Sequence, residues 1–211
     1  MTELNLNFQD TATAFADKSD SELQEKYRMF KTMNSPLLNG IGTRMATFAL
    51  SIGLPVEGLI KATVFEQFCG GETIAECNPT IEKLGRSNIG TILDYSVEGK
   101  STEAEFDETR DEILRTLQRA KGDENIPFAV FKVSGIAPLG TLEKMSSKRR
   151  LDAKGQSKCE HIHSRVDEIC GFAAKIGQPI FIDAEESWIQ DAIDRLAAEM
   201  MQKYNRGRAI V

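Results

Sequence analysis

The fold is decided by the stretch PFAVFKV at residues 127–133 and by PIFID at residues 179–183. Both are short, nearly continuous apolar runs that begin at proline, which is typical of strands covered on both faces. A further strand is predicted over Asn88–Val97, and a fourth begins at Ala209–Val211. Amphipathic segments separate these strands. The resulting β-α-β-α-β-α-β order predicts an α/β fold with a parallel sheet and outer helices.

The helices between these strands have recognisable ends. Thr102 and Glu105 form a capping box that starts the first of them. A second helix is predicted over His161–Ile176, ended by Gly177, and a third over Trp188–Tyr204. The segment before His161 carries six basic residues and is predicted to be a long basic loop. Its basic residues are Lys144, Lys148, Arg149, Arg150, Lys154 and Lys158.

The N-terminal part has only helical patterns. Ser19 and Glu22 form a capping box, Leu37–Ser51 is predicted to be a mostly buried helix, and a further helix is expected to restart at Pro55. An amphipathic helix is predicted over Thr73–Leu84. We therefore predict two domains, a helical region over residues 1–85 and a β/α region over residues 86–211.

Composition excludes several classes of protein. The chain has 211 residues, 41% of them apolar and 27% charged, which is enough to build a core. A net charge of −6 argues against a general nucleic-acid binder. Four scattered cysteines without a Cys-x-x-Cys pair indicate free thiols in a reducing compartment. Because no segment has the pattern of a secretory signal, a transit peptide or a transmembrane span, we expect a cytoplasmic protein.

Charged residues interrupt the predicted strands near their carboxyl ends. They are Asp94, Lys132 and Asp183, and Glu98 follows four residues after Asp94. In parallel β/α folds these ends converge and carry the site. A lysine facing carboxylates is a candidate clamp for a substrate carboxylate, or a base with a lowered pKa. The alternative is a buried ion-pair network that ties the strands together.

One other cluster has the spacing of metal ligands. Cys159, His161 and His163 form Cys-x-His-x-His, but no further histidine exists and no second ligand pair is nearby. A helix with solvated imidazoles is the better interpretation, and we predict no metal site. The sequence also lacks glycine-rich nucleotide-binding motifs of the Rossmann or P-loop type.

The residues around these charges resemble the proline dehydrogenase family. The resemblance is carried by FCGGE at residues 68–72, ILDYSVE at 92–98, FKVSG at 131–135, FIDAEE at 181–186 and WIQDAI at 188–193. Each piece alone is weakly specific. Their order and spacing together are specific, and DAEE after a lysine-containing strand is the strongest part.

The resemblance implies a (β/α)₈ barrel of which this chain holds the first three to four β/α units, ending at strand four, after a helical arm. It implies oxidation of L-proline to Δ¹-pyrroline-5-carboxylate, with hydride transfer to FAD and a quinone or other electron acceptor. Lys132 would pair with the proline carboxylate and Asp94 would line the substrate pocket. Asp183 would lie beside the flavin as a catalytic and cofactor-binding residue. Glu98 resembles a gate residue that pairs with an arginine late in the family's chain.

The resemblance also implies an incomplete site, because most flavin-binding residues of the family follow strand four. We therefore expect the chain to be inactive alone. One alternative is a non-catalytic half-barrel that self-associates or binds a complementary C-terminal chain. Another is an unrelated β/α enzyme, such as a Schiff-base lyase that uses Lys132. For access to a quinone, the cytoplasmic protein would lie at the membrane periphery.

Overall fold

The structure is a computed structural model that describes residues 7–56, 58, 61, 65–95, 99–147 and 149–211. The chain divides into two compact units, Met1–Thr73 and Ile74–Val211. This division precedes the predicted one at residue 86, because Ile81 is buried together with Ala120 and Ile126 of the second unit. Among the helices of the described residues, none combines the length and apolar character needed to cross a bilayer.

The first unit contains four described helices. They are α1 (Thr11–Ala14), α2 (Asp20–Met33), α3 (Pro36–Ser51) and α4 (Glu66–Phe68). The capping box at Ser19 is present as predicted. The prediction that α3 is mostly buried is wrong, since no residue of α3 is buried and Phe48 is 65% exposed. The physical reason is that α3 packs along α2, and two helices alone cannot enclose an apolar core. Most of the helix predicted after Pro55 lies outside the described residues.

The second unit has the predicted alternation. Its elements are α5 (Asn78–Gly85), β1 (Ile92–Leu93), α6 (Glu103–Ala120), β2 (Phe128–Phe131), a 3₁₀ turn (Val133–Gly135), α7 (Leu139–Ser146), α8 (Ala153–Ile176), β3 (Ile180–Ile182) and α9 (Ser187–Tyr204). The strands form a parallel sheet in the order β1-β2-β3. The α/β class and the parallel sheet are thus confirmed.

The end of the chain lies beside β3. Ile180 N–H donates to the Ile210 carbonyl over 2.7 Å, and the Asn205 side chain accepts the N–H groups of Ile210 and Val211. No strand is assigned at the predicted fourth position in this described segment. The described sheet therefore has three strands, and the barrel remains a prediction.

The predicted basic loop is largely helical. Lys144 lies in α7, and Lys154 and Lys158 lie in α8, while Lys148 is outside the described residues. Asp152 accepts the Gly155 N–H over 2.7 Å and so starts α8 at Ala153, eight residues before His161. At its other end α8 stops at Gly177, as predicted. The φ of Gly177 is 74°, a conformation that glycine adopts without a Cβ clash.

The core lies on one face of the sheet. Ala129, Phe131 and Ile180 are buried against the outer helices α6, α8 and α9. On the other face, Ile92 and Phe181 are 44% and 45% exposed, and Phe128 stacks on Phe181 with ring centroids 4.5 Å apart. Within the described second unit, α6, α8 and α9 pack on the Phe131 side, and cover of the other face remains a prediction. We call the side with Ile92, Phe128 and Phe181 the open face.

Candidate functional site

The site lies at the carboxyl edge of the sheet. The register pairs Phe131 with Ile182, which places Lys132 opposite Asp183. The Lys132 ammonium donates to the Asp183 carboxylate, and the two side chains are 36% and 42% exposed. Successive residues of a strand point to alternate faces, so Lys132 belongs to the side of Phe128 and Val130, the open face. Lys132 is therefore partly exposed on this face.

Surrounding charges keep Lys132 protonated. Its pKa is raised above the ordinary value, chiefly because Asp183 accepts its hydrogen bond. Partial burial opposes the shift, and the negative charges of Asp183, Asp94 and Glu185 add to it. The prediction of a lysine base with a lowered pKa is therefore wrong. A Schiff-base lyase using Lys132 is disfavoured as well, because that chemistry starts from the neutral amine.

Asp94 is the third of the predicted charges. It follows β1 on the side of Ile92, is exposed, and its charge acts on Lys132. The structure therefore brings Asp94, Lys132 and Asp183 to one edge, as predicted. Glu98 lies outside the described residues, and its role as a gate remains a prediction.

A second contact between β2 and β3 was missed by sequence reasoning. Ser134 donates its backbone N–H to Glu185 Oε1 over 3.0 Å and its hydroxyl to Glu185 Oε2. Glu185 N–H in turn donates to the Gln190 side chain over 2.8 Å. Lys132 and Ser134 are two residues apart, as are Asp183 and Glu185. This equal spacing, after two strands that pair, was the signal in the sequence that could have predicted the contact between Ser134 and Glu185.

The arrangement suits a zwitterionic ligand. One ammonium, that of Lys132, faces three carboxylates, those of Asp94, Asp183 and Glu185. An ammonium binds a carboxylate as a compact point charge, and carboxylates bind an amine in the same way. An amino acid carries both groups. The edge can therefore orient an amino acid along the open face.

The Cys-x-His-x-His cluster is directed to two different partners. His161 Nδ1 lies 3.3 Å from Glu103 on α6, and His163 Nε2 lies 2.7 Å from Glu199 on α9. Within the described ranges, no three His, Cys, Asp or Glu side chains are grouped to hold a metal ion. Both histidines therefore join outer helices.

Comparison with known proteins covers most of the chain. The profile of the family described as proline dehydrogenase matches residues 77–211. The carbapenem antibiotics biosynthesis protein CarD of Pectobacterium carotovorum is 31% identical over 176 residues, which cover 83% of this chain and 47% of CarD. Proline dehydrogenase 1, mitochondrial, of Dictyostelium discoideum is 27% identical over 241 aligned residues, covering 96% of this chain and 42% of that protein. Proline dehydrogenase 1, mitochondrial, of Arabidopsis thaliana is 24% identical over 196 residues, which cover 74% of this chain and 39% of that protein.

The matched region includes the whole second unit except its first residues, and not only the ends of the strands. The chain spans about half the length, or less, of these relatives. The profile match runs from just before α5 to the last residue and includes Asp94, Lys132, Ser134, Asp183 and Glu185. On this evidence of sequence and fold together, the chain belongs to the proline dehydrogenase family.

Proposed function

We propose that this chain supplies the part of a proline dehydrogenase that binds and orients L-proline for oxidation to Δ¹-pyrroline-5-carboxylate. The single observation that carries the proposal is the charged Lys132, held by Asp183 at the carboxyl edge among three acidic side chains. Two of the relatives compared above are named proline dehydrogenases. The match to the Dictyostelium protein covers 96% of the chain and the family profile covers residues 77–211, so both include this edge.

In the proposed complex, Lys132 binds the carboxylate of proline and thereby fixes which end of the ring lies at the sheet edge. Asp94 and Asp183, whose charges both act on Lys132, are proposed to hold the secondary amine. Oxidation removes a hydride from the ring carbon C5 and a proton from the nitrogen, which leaves the C5=N double bond of the product. The chain's residues orient proline so that C5 points away from Lys132, along the open face.

The open face also suits one part of FAD. Phe128, Val130 and Phe181 form an apolar surface that ends at the Lys132–Asp183 pair. We propose that the isoalloxazine ring lies against this surface and that Asp183 contacts its polar edge. When bound, FAD supplies the hydride acceptor. On the described part of the open face Lys132 is the only cation, so we propose that the diphosphate is held by residues elsewhere.

The test is the substitution Lys132→Met, with Lys175→Met on the exposed end of α8 as the matched control. Calorimetric titration of the full chain with L-proline, with and without FAD, measures the affinity. We expect Lys132→Met to weaken proline binding about tenfold, less than the roughly 2–5 kcal/mol lost when one partner of a buried charge pair is removed, because Lys132 is partly solvated. The control should bind as the wild type does. Unchanged affinity in Lys132→Met would refute the clamp.

A second candidate is a non-catalytic half-barrel, and the exposed Ile92 and Phe181 of the open face favour it. Apolar surface of this kind drives association. In the same titrations, a wild-type chain that binds neither proline nor FAD and sediments as a dimer or larger species would support this candidate. A monomer that binds proline would exclude it.

The compartment and the electron acceptor belong to the proposal as well. The Dictyostelium and Arabidopsis relatives are named mitochondrial, so the expected cytoplasmic location remains a prediction. A quinone at the membrane periphery is the proposed acceptor. Fractionation of cells that express the chain, followed by reduction assays with a soluble quinone, tests both statements.

A further inference from the structure

Arg165 is the most enclosed charged side chain of the described second unit, with only 5% of its side chain exposed. It lies on α8 and all three of its guanidinium nitrogens donate. Nε donates to Asp107 over 2.8 Å and Nη2 donates to the Glu103 carboxylate over 2.6 Å, both on α6. The guanidinium also lies 5.5 Å from the ring centre of the buried Phe106.

The third nitrogen, Nη1, reaches the turn that follows Lys132. Arg165 Nη1 donates to the carbonyl of Ile136 over 3.3 Å in a buried position. Ile136 ends the 3₁₀ turn that begins directly after Lys132. Within this turn, Gly135 N–H donates to the Lys132 carbonyl over 3.2 Å. Arg165 is therefore joined to the backbone of Lys132 through its bond to Ile136 and through the hydrogen-bonded turn that connects Ile136 to Lys132 along the chain.

The turn is held from two sides. Glu185 binds Ser134 from the β3 side, and Arg165 binds Ile136 from the helical side. We propose that Arg165 is a positioning residue of the site, which fixes the turn at residues 132–136 and thereby aims the Lys132 ammonium at the sheet edge. The consequence for proline binding rests on the proposed function, whereas the positioning role does not.

The energetics of buried ion pairs favour a geometric role. Only the guanidinium is buried, since the side chains of Glu103 and Asp107 are 41% and 46% exposed. Burying the guanidinium carries a desolvation penalty that can exceed the gain in attraction, so stability alone does not explain the cluster. A rigid guanidinium fork can satisfy two carboxylates and the carbonyls of Glu103 and Ile136 at fixed angles, and a lysine ammonium cannot. The guanidinium of Arg165 therefore holds several backbone and side-chain groups in one geometry.

The test compares Arg165→Lys with Arg110→Lys. Arg110 is a matched control because it lies on α6, reaches Glu168 of α8 over 3.3 Å and shares the Asp107 carboxylate with Arg165 at 3.5 Å. The readout is hydrogen exchange at the amides of Ser134, Gly135 and Ile136, compared with amides of α9 that report on global opening. Both variants and the wild-type full chain are measured in trimethylamine N-oxide, which favours the folded state.

We expect exchange in the turn to be about tenfold faster in Arg165→Lys, beyond any change in α9, and unchanged in Arg110→Lys. Titration of the Lys132 ammonium by carbon NMR should show its pKa falling toward the ordinary value only in Arg165→Lys. Equal acceleration in the turn and in α9 would overturn the proposal. So would an Arg165→Lys chain that does not fold even in the osmolyte, because the arginine would then be a core element.

Proline titration of the same variants separates the two proposals. If the wild type binds proline, Arg165→Lys should weaken binding about tenfold and Arg110→Lys should not. If the wild type binds no proline, the proposed function fails, and the exchange data still decide whether Arg165 positions the turn.

Discussion

The two faces of the sheet should respond differently to the loss of an aromatic ring. Phe131 is 1% exposed on the covered face, and Phe181 is 45% exposed on the open face. Phe131→Ala removes a fully buried ring and leaves a cavity, so it should lower the free energy of unfolding by about 3–5 kcal/mol. Phe181→Ala loses roughly half of the burial of a phenylalanine and its stacking on Phe128, for a cost of about 1–2 kcal/mol.

Urea unfolding followed by fluorescence measures both values. Trp188, the single tryptophan, lies on α9 and therefore reports on the unit that contains the sheet. A loss of about 3–5 kcal/mol is a large share of the 5–15 kcal/mol that is typical of a domain. Phe131→Ala should therefore unfold at much lower urea, with an unchanged slope.

Equal destabilisation by the two substitutions would refute the assignment of a covered and an open face. It would mean that Phe181 is buried in solution, for example by a second copy of the chain. Sedimentation of the two variants then identifies the cause, since loss of a dimer in Phe181→Ala alone would locate the covering copy on this face.

Two further predictions concern titratable groups. The pKa of Glu105 is lowered from 4.5 to about 2 because the N–H groups of Ser101 and Thr102 and the Thr102 hydroxyl donate to its carboxylate. The contribution of Glu105 to stability is therefore complete above about pH 4.5 and is lost as the pH falls toward 2. In acid unfolding followed by circular dichroism, Glu105→Gln should therefore reduce the dependence of stability on pH between about 4.5 and 2. Burial raises the pKa of the Cys170 thiol to about 12, so alkylation at pH 8 followed by mass spectrometry should label the exposed Cys69 readily and Cys170 only after denaturation. Rapid labelling of Cys170 in the folded protein would contradict its buried placement.

The parts of the fold that were predictable are those with local signals. Thr102 and Glu105 cap α6 as their spacing requires, and the apolar runs at residues 127–133 and 179–183 do contain adjacent parallel strands. The burial of α3 was not predictable from its own apolar residues. Burial depends on what a helix packs against, and the sequence of the helix does not contain that information.

The candidate site was likewise predictable only in part. Lys132 and Asp183 were identified because a charge in an apolar strand is conspicuous by itself. The bonds from Ser134 to Glu185 and from Arg165 to Ile136 were missed, since each joins residues at least 29 positions apart. Such contacts depend on strand register and helix placement, which the residue types alone do not specify.

The exposure of the carboxyl edge favours one of the two interpretations of its charges, a ligand clamp or an ion-pair network that ties the strands together. An ion pair that served only to tie strands together would have to contribute stability, yet pairs as exposed as Lys132 and Asp183 contribute at most about 1 kcal/mol. The same charges interact several times more strongly once water is excluded from around them. A ligand seated on the open face would exclude that water. The edge is therefore poorly suited to hold the sheet together, which supports the proposal that Lys132 binds a charged ligand.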